Sequence, residues 1–347
     1  MDNQEPKRIR RVRYKGTHPK QYNEKYKELQ PENYADDVAK VIQQGRTPAG
    51  MHRSICVNEI MDFLQIHPGQ TGVDATLGYG GHSLEILKQI IPGGKLYGLD
   101  VDPFELPRTR DRLKALGFGE DVFIPRIMNF YRIDEIASEA GLLNFVIADL
   151  GVSSMQIDNP ERGFTFKVDG PLDLRLNPNS GKPASELLKN ISREELETIL
   201  LENSDEPFFR EISDAIVSKI ENGKFITTTK ALRETIVEAI SSSISDKEAI
   251  KKTNQRCFQA LRIAVNNEFS VLEKFLDKLP DCLESGGRVA ILTFHSGEDR
   301  RVKKAFQYFL REGIYSEVSP TPIRATSEEC NANPRARSAK LRLAIKS

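Results

Sequence analysis

From about residue 52 to residue 150 the chain alternates short apolar runs with segments in which apolar residues recur every three or four positions. The apolar runs predict buried strands, and the recurring pattern predicts amphipathic helices. The predicted strands are 71–74, 95–100, 122–125 and 144–150, and the predicted helices are 58–64, 83–91, 106–116 and 133–140. This alternation is typical of an α/β fold with a doubly wound parallel sheet.

The alternation stops after Asp158. A loop rich in Gly, Pro and Asp follows, and then come helical patterns at 192–201, 206–221 and 229–241. A longer helical pattern at 254–279 precedes an apolar run at 288–294, which predicts a further strand. The apolar stripe of the 254–279 pattern, predicted to pack in a core, consists of Phe258, Leu261, Val265, Leu272, Phe275 and Leu279.

These patterns divide the chain into three parts. Residues 1–50 are polar and predict an extension with a short helix near 34–44. Residues 51–158 and 251–347 together predict the α/β domain, and residues 159–250 predict an inserted helical domain. At 347 residues with 39 % hydrophobic residues, the chain is long enough and apolar enough to form such cores.

Charge is balanced overall, with 50 basic and 50 acidic residues, but it is unevenly distributed. Lys7–Lys20 contains seven Lys or Arg and no acid, and Arg324–Lys346 is also mainly basic. Two basic ends on a neutral chain favour a polyanionic partner. A solvated, disordered tail is the alternative for the N-terminal run.

The four cysteines are far apart and form no C-x-x-C pair. They indicate reduced thiols rather than a disulfide framework or a zinc site, so no metal is expected. No apolar stretch reaches the roughly 18 residues that would cross a bilayer. The N-terminus lacks the apolar core of a signal peptide, so we predict a cytoplasmic protein without a membrane partner.

A glycine-rich turn follows the first predicted strand, in the segment DATLGYGGHS that runs from Asp74 to Ser83. Glycines let the backbone approach a ligand, and the following helix N-terminus offers unpaired N–H groups. The next predicted strand ends at Asp100, where a carboxylate can accept hydrogen bonds from ribose hydroxyls. Ser83 stands where a dinucleotide site usually has its third Gly, which favours S-adenosylmethionine over NAD. A NAD site and a turn without a ligand remain open.

The fourth predicted strand ends at Asp149, near the middle of the sheet and close to the expected cofactor edge. An exocyclic cytosine amine is a poor nucleophile because its lone pair is delocalised into the ring. A carboxylate that accepts its N–H helps to align the nitrogen and to remove the proton. Asp149, Ser153 and Ser154 are therefore candidate catalytic residues; the alternative is that Asp149 caps a turn or contacts only the cofactor.

A loop that mixes aromatic and charged residues follows, and it suits a base that is stacked and hydrogen-bonded after leaving its helix. A structural loop whose Phe residues fill the seam beside the insert is the alternative. A further candidate, His295, follows the late strand and could act as a base, contact RNA or pack structurally. The candidate substrate-binding residues are Arg162, Phe164, Phe166, Asp173, Arg175 and His295.

From His52 to the C-terminus the chain resembles the bacterial MraW/RsmH methyltransferases. The motifs that carry the resemblance are HRSICVNE, DATLGYGGHS, LDVDP, DLGVSSMQID, RGFTFKVDGPLDLRLNP, FQALRIAVNNE, GGRVAILTFHSGEDR and NPRARSAKLR. The resemblance implies a class I S-adenosylmethionine-dependent methyltransferase domain with an inserted helical domain. It also implies N4-methylation of a cytidine in the decoding region of small-subunit ribosomal RNA, as naked RNA or in the 30S particle.

Carried over by motif, the resemblance also implies a cofactor pocket. The residues implied to line it are Gly80, Gly81, His82, Asp100, Phe130, Asp149 and Gln156.

The chain departs from the family pattern at three positions and in its extension. Ala75 and Leu77 stand where the family usually has Gly and Phe, and Gly297 stands where it usually has Leu, which we expect to loosen the start of the following helix. The basic extension could mark a paralogue with another acceptor, such as tRNA, DNA or protein. A cofactor-binding assembly factor without turnover is the other alternative, and monomer and homodimer remain open.

Overall fold

The computed structural model describes residues 54–347. The predicted extension, its short helix near 34–44 and the basic run Lys7–Lys20 lie outside these residues. Among the described helices, none is both long and apolar enough to cross a membrane.

A seven-stranded sheet forms the centre of the fold, in the order β3-β2-β1-β4-β5-β7-β6. Strands β1 to β5 are parallel, and β7 is antiparallel to both β5 and β6. This is the class I methyltransferase arrangement, so the predicted fold class is confirmed. The strands are β1 (Thr71–Asp74), β2 (Lys95–Asp100), β3 (Phe123–Ile127), β4 (Leu143–Asp149), β5 (Leu283–Thr293), β6 (Tyr315–Val318) and β7 (Lys340–Lys346).

Thirteen α-helices lie within the described residues, joined in places by short 3-10 turns. They are α1 (Val57–Leu64), α2 (Gly81–Ile90), α3 (Glu105–Ala115), α4 (Ile133–Ala140), α5 (Ser154–Asp158), α6 (Ala184–Lys189), α7 (Arg193–Ser204), α8 (Phe209–Glu221), α9 (Thr229–Ile240), α10 (Lys247–Asn266), α11 (Glu268–Lys278), α12 (Ser296–Arg311) and α13 (Ser327–Ala332).

Successive residues of β4 point to opposite faces of the sheet, and each face has its own hydrophobic core. Val146 and Ala148 belong to a cluster that includes side chains of α4, α11 and α12. Phe145 and Ile147 belong to a second cluster, with side chains of α1, α2 and α3. A continuous apolar run is the pattern expected of a strand that is buried on both faces.

A third cluster holds together the helices α6 to α10 and the loop before them. It begins at Leu172 and extends to Leu261, and α10 runs across residue 250. The domain boundaries at residues 159 and 250 stay predictions.

The single helix predicted over 254–279 is wrong, because two helices stand there. Helices α10 and α11 meet at Asn267, whose φ of 51° places it in the left-handed region. The predicted stripe is consequently shared between two cores. Phe258 and Leu261 belong to the third cluster, whereas Leu272 and Phe275 belong to the first.

The carboxyl ends of the parallel strands lie at one edge of the sheet. Asp74, Asp100 and Asp149 are the last residues of β1, β2 and β4, and β1 pairs with both neighbours. The topology therefore brings three acidic residues, which are far apart in sequence, to the edge where open α/β sheets bind their ligands.

Candidate active site

The turn between β1 and α2 is held tightly on both sides. Gly80, with a φ of 71°, precedes the first residue of α2, and a Cβ there would lie 2.8 Å from the Thr109 methyl carbon. A Cβ on Gly81 would collide with the Ser54 hydroxyl. Glycine at these positions therefore lets the side chains of Thr109 and Ser54 pack directly against the turn. The N-terminus of α2 follows the turn and lies at the carboxyl edge of the sheet.

Asp74 anchors this turn from below. The Ser83 hydroxyl donates to Asp74 Oδ2 at 2.6 Å, and the backbone N–H of Thr76 donates to Oδ1 at 3.2 Å. Burial raises the pKa of Asp74. Ser83, the residue that distinguishes this turn from a dinucleotide motif, is thus fully buried as the partner of an acid.

Asp100 ties the glycine turn to the end of β2. Its Oδ2 accepts the N–H of Gly78 at 2.8 Å, and its Oδ1 accepts the N–H of Asp102 at 2.9 Å. Burial raises the pKa of Asp100 to about 6. Each carboxylate oxygen keeps a further acceptor site, which is what a ribose diol needs.

Phe130 lies one turn beyond β3, beside the end of β2. The N–H of Met128 donates to the carbonyl oxygen of Asp100, and the Phe130 ring packs edge-to-face on Phe275 with centroids 5.1 Å apart. The ring is partly buried. Its position near Asp100 fits the predicted contact with an adenine, which stays a prediction.

Asp149 and His82 form the third part of the edge. His82 Nδ1 lies 3.8 Å from Asp149 Oδ2, and His82 Nε2 lies 3.0 Å from the carbonyl oxygen of Ile55. Because that carbonyl can only accept, Nε2 carries a hydrogen, and Nδ1 is the ring nitrogen that faces Asp149. Burial raises the pKa of Asp149 to about 6, the Asp74 and Glu298 carboxylates add to the shift, and His82 opposes it.

Two catalytic candidates lie on the short helix after β4. Ser153 caps α5 through a capping box with Gln156, in which each side chain accepts the other's backbone N–H. The Ser154 hydroxyl accepts a hydrogen bond from Arg335, whose other nitrogen lies 3.4 Å from Asp158. Both serines therefore help to fix the backbone that follows Asp149.

The most buried charged group at this edge is Asp102, which is 0 % exposed. Its Oδ2 accepts from Gln156 Nε2 at 2.8 Å and from Arg162 Nη1 at 2.7 Å. Its Oδ1 accepts the backbone N–H groups of Phe104 and Glu105, at the start of α3. Asp102 thus joins the loop after β2, helix α5 and the predicted substrate loop in one network.

Arg162 is almost entirely used inside this network. Its Nη2 also donates to the carbonyl oxygens of Arg175 and Leu176, at 3.1 and 2.8 Å. The side chain of Asn266, at the end of α10, bonds the backbone of Leu176 and Leu174. The loop is therefore fastened at both ends, to α3 and α5 through Asp102 and to α10 through Asn266.

The remaining loop candidates also make internal contacts. Asp173 and Arg175 form a bidentate ion pair with distances of 2.7 and 2.8 Å. The Phe166 ring packs on Phe258 at 5.4 Å, and Phe164 lies under the guanidinium of Arg162 at 5.8 Å. These contacts agree with the structural alternative for the two Phe residues, and the base contacts predicted for the loop remain untested.

His295 caps helix α12, and its Nδ1 accepts the N–H of Glu298 at 3.4 Å. Among the described residues, one group with metal-ligand chemistry is found here, consisting of Glu268, His295 and Glu298. Both oxygens of Glu268 accept from Arg262 at 2.8 Å, so this carboxylate already has a cationic partner. We assign no metal to the group.

Gly297 is the second residue of α12, and it stands where the family usually has Leu. A Cβ at this position would lie 2.5 Å from the Phe269 ring, so tight packing gives a reason for the glycine.

The edge thus holds the predicted cofactor residues together, and the network of Asp102 joins them to Arg162. Sequence reasoning missed Asp102 and Arg335. Asp102 had a signal, since an Asp followed by Pro at the end of a strand is a frequent helix cap. Arg335 stands in the motif NPRARSAKLR, but nothing in the sequence places it beside Ser154, because it comes from a distant loop.

The family model of MraW methylases matches residues 49–347. The ribosomal RNA small subunit methyltransferase H 2 of Alkaliphilus metalliredigens is 64 % identical, over 100 % of this chain and 100 % of its own. The ribosomal RNA small subunit methyltransferase H 1 of Lachnoclostridium phytofermentans is 63 % identical, over 99 % of this chain and 95 % of its own. The ribosomal RNA small subunit methyltransferase H of a Cyanothece species is 40 % identical, over 86 % and 95 % respectively.

Proposed function

We propose that this chain, which belongs to the MraW methylase family, transfers a methyl group from S-adenosylmethionine to the N4 amine of a cytidine in small-subunit ribosomal RNA. The names of its relatives support the RNA class. The resemblance of the motifs supports the cytidine nitrogen and the cofactor.

The observation that carries the proposal is the alignment of Asp74, Asp100 and Asp149 along one edge of the sheet. The cofactor has a ribose diol, an ammonium group and a sulfonium, and these are groups that carboxylates bind through hydrogen bonds and charge. Burial raises the pKa values of Asp100 and Asp149, so ligand groups that donate hydrogen bonds or carry positive charge would stabilise their ionised forms.

In this proposal each residue has a defined task. Asp100 accepts hydrogen bonds from the ribose, Phe130 lies against the adenine, and the turn at Gly80 and Gly81 with the N-terminus of α2 accommodates the amino-acid end. Gln156 shapes the pocket through its bond to Asp102. When bound, the cofactor supplies an electrophilic methyl group.

Asp149 acts on the acceptor. It accepts one N–H of the cytosine amine, which directs the nitrogen lone pair towards the methyl group. As the nitrogen takes the methyl group that the cofactor would supply, the amine proton would pass to the Asp149 carboxylate. His82, whose Nδ1 lies 3.8 Å from Asp149 Oδ2, favours the ionised form of this carboxylate before the transfer. Ser153 and Ser154 hold the backbone on which Asp149 depends.

The test uses the purified full chain with methyl-tritiated S-adenosylmethionine. Small subunits and small-subunit rRNA, both from a strain that lacks this modification, serve as separate acceptors. Nucleosides from the product are identified by mass spectrometry, and Asp149→Asn is the matched inactive control. We expect N4-methylcytidine with the wild type alone.

Each other outcome selects a different function. Label in tRNA or DNA, offered in parallel reactions, and none in small-subunit RNA would establish the same chemistry on another nucleic acid. Binding of cofactor and subunits without transfer would indicate an assembly factor. Comparison of transfer to free small-subunit rRNA with transfer to the small subunit also shows which of these two is the substrate.

A further inference from the structure

Helix α12 carries an unusual concentration of positive charge. Residues 300–311 include five Lys or Arg and no acidic residue. Arg301 turns inward, where it pairs with Glu273 at 2.8 Å and lies 3.5 Å over the Phe269 ring. The other four are exposed, and together we call them the α12 basic stripe: Arg300, Lys303, Lys304 and Arg311.

The stripe occupies one face of the helix. At about 100° per residue, its four members fall within roughly a third of the circumference, whereas Val302 and Phe306 are buried on the opposite side. From Arg300 to Arg311 the helix rises about 16 Å, at about 1.5 Å per residue. That length can follow several consecutive phosphates of a nucleic-acid strand.

Most of this charge is unneutralised by the described part of the chain. Arg300 lies 3.6 Å from Asp205, with both side chains more than half exposed, and such a pair contributes little. Lys303, Lys304 and Arg311 have no ion-pair partner among residues 54–347. A row of free cations of one sign creates a local field that attracts a polyanion.

The stripe starts at the candidate active site. Helix α12 follows β5 directly, and its cap His295 stands at the same edge as Asp149. A Cβ on Gly151, two residues after Asp149, would lie 3.7 Å from the Phe294 ring. A strand that follows the stripe towards its N-terminal end therefore arrives beside the proposed acceptor site.

We propose that the α12 basic stripe binds the phosphate backbone of the RNA that carries the target base. The inference rests on the proposed function for the identity of the polyanion. Protein interfaces are depleted in Lys and charged at most on their rim, so a Lys-containing stripe without an apolar centre favours nucleic acid over a protein partner. Tyr308, 51 % exposed beside the stripe, adds a surface on which a base can stack.

The test compares two variants of the full chain that lose equal charge. Lys303→Gln/Lys304→Gln removes the centre of the stripe. Lys95→Gln/Lys114→Gln is the matched control, because both lysines are exposed and Lys95 begins β2, at the opposite edge of the sheet. Affinity for small-subunit rRNA is measured by fluorescence anisotropy from low to high salt, and steady-state methyl transfer gives kcat and KM.

The logarithm of the affinity falls as the logarithm of the salt concentration rises. For the stripe variant we expect this slope to become shallower by about 1.4 to 1.8, or about 0.7 to 0.9 for each lost phosphate contact. We expect KM for RNA to rise about three- to tenfold, with kcat and cofactor affinity unchanged, since neither lysine belongs to the proposed active site. The control should behave as the wild type.

Equal slopes and equal KM values for the two variants would overturn the proposal, and so would a loss in kcat alone. A wild type that binds rRNA but methylates none would refute the proposed function instead. The salt slopes of the variants would still decide the role of the stripe in that case.

Discussion

Asp102 offers the sharpest test of how the candidate site is held together. Replacing it by Asn keeps the size of the side chain but makes one end a donor. In the wild type one oxygen faces the N–H groups of Phe104 and Glu105, and the other faces Gln156 and Arg162. Every neighbour is a donor, so the Asn amide must point its own hydrogens at one of these pairs whichever way it is turned.

The magnitude follows from the burial of the ion pair. Asp102 is 0 % exposed and Arg162 is 8 % exposed, and removing one partner of a buried pair typically costs about 3–5 kcal/mol. Arg162 retains two carbonyl acceptors in the variant. We therefore expect the lower end of that range, about 3 kcal/mol lost from the free energy of unfolding.

The assay is equilibrium unfolding in urea, with Asp134→Asn as the control. Asp134 pairs with Lys278 at 2.8 Å, but the two side chains are 49 % and 38 % exposed, so its loss should cost at most about 1 kcal/mol. A double-mutant cycle with Arg162→Met should give a coupling of about 2 kcal/mol. If Asp102→Asn destabilised no more than the control, or if the two changes were additive, the network would not hold the loop as argued.

Three further predictions concern the site itself. Asp149→Asn should lower kcat at least about 100-fold, because the side chain can no longer take up the proton. Cofactor affinity should change little, because the side chain keeps its size. Equal losses in kcat, measured by methyl transfer, and in cofactor affinity, measured by calorimetry, would contradict the assigned role. Asp100 has a raised pKa of about 6, and in its proposed role the ionised carboxylate accepts the ribose hydroxyls. The Kd for S-adenosylmethionine should therefore fall about tenfold as pH rises from 5 to 7, and a flat profile by calorimetry would exclude this role. Gly163→Ala should lower the free energy of unfolding by about 2–4 kcal/mol, since the φ of Gly163 is 74° and a Cβ there would collide with a backbone oxygen. The control is Gly117→Ala, where φ is 97° and the space around a Cβ is open. It should cost only about 1 kcal/mol in the same urea experiment.

The parallel part of the sheet could be predicted because its strands are buried on both faces. Such strands appear as unbroken apolar runs, and the predicted bounds of β1 and β2 coincide with the observed ones. Strands β6 and β7 were not predicted. β6 is an edge strand of four residues. The first half of β7 mixes charged with apolar residues, although its Arg342 is buried against Asp299.

The break between α10 and α11 shows a different limit of the pattern. Apolar residues continue at helical spacing through the junction, so periodicity alone predicts one helix. Asn267 breaks it by adopting a left-handed conformation, which Asn tolerates better than most residues. The signal was present in the pair Asn266-Asn267, but tertiary packing onto two separate cores decides that the helix ends there.

The acids at the strand ends were predictable from the topology, whereas the roles of the loop residues were not. An Arg between Gly and acidic residues has the same appearance in sequence whether it contacts a substrate or its own backbone. Contacts separate the two roles: Arg162 is buried and already donates to Asp102 and to two carbonyl oxygens. To reach a base it would have to leave a buried carboxylate unpaired, which costs more than one hydrogen bond to the base returns. The geometry therefore favours Arg162 as a residue that positions the loop between the cofactor edge and α10, and Arg162→Met should then weaken methyl transfer only as far as it loosens that loop.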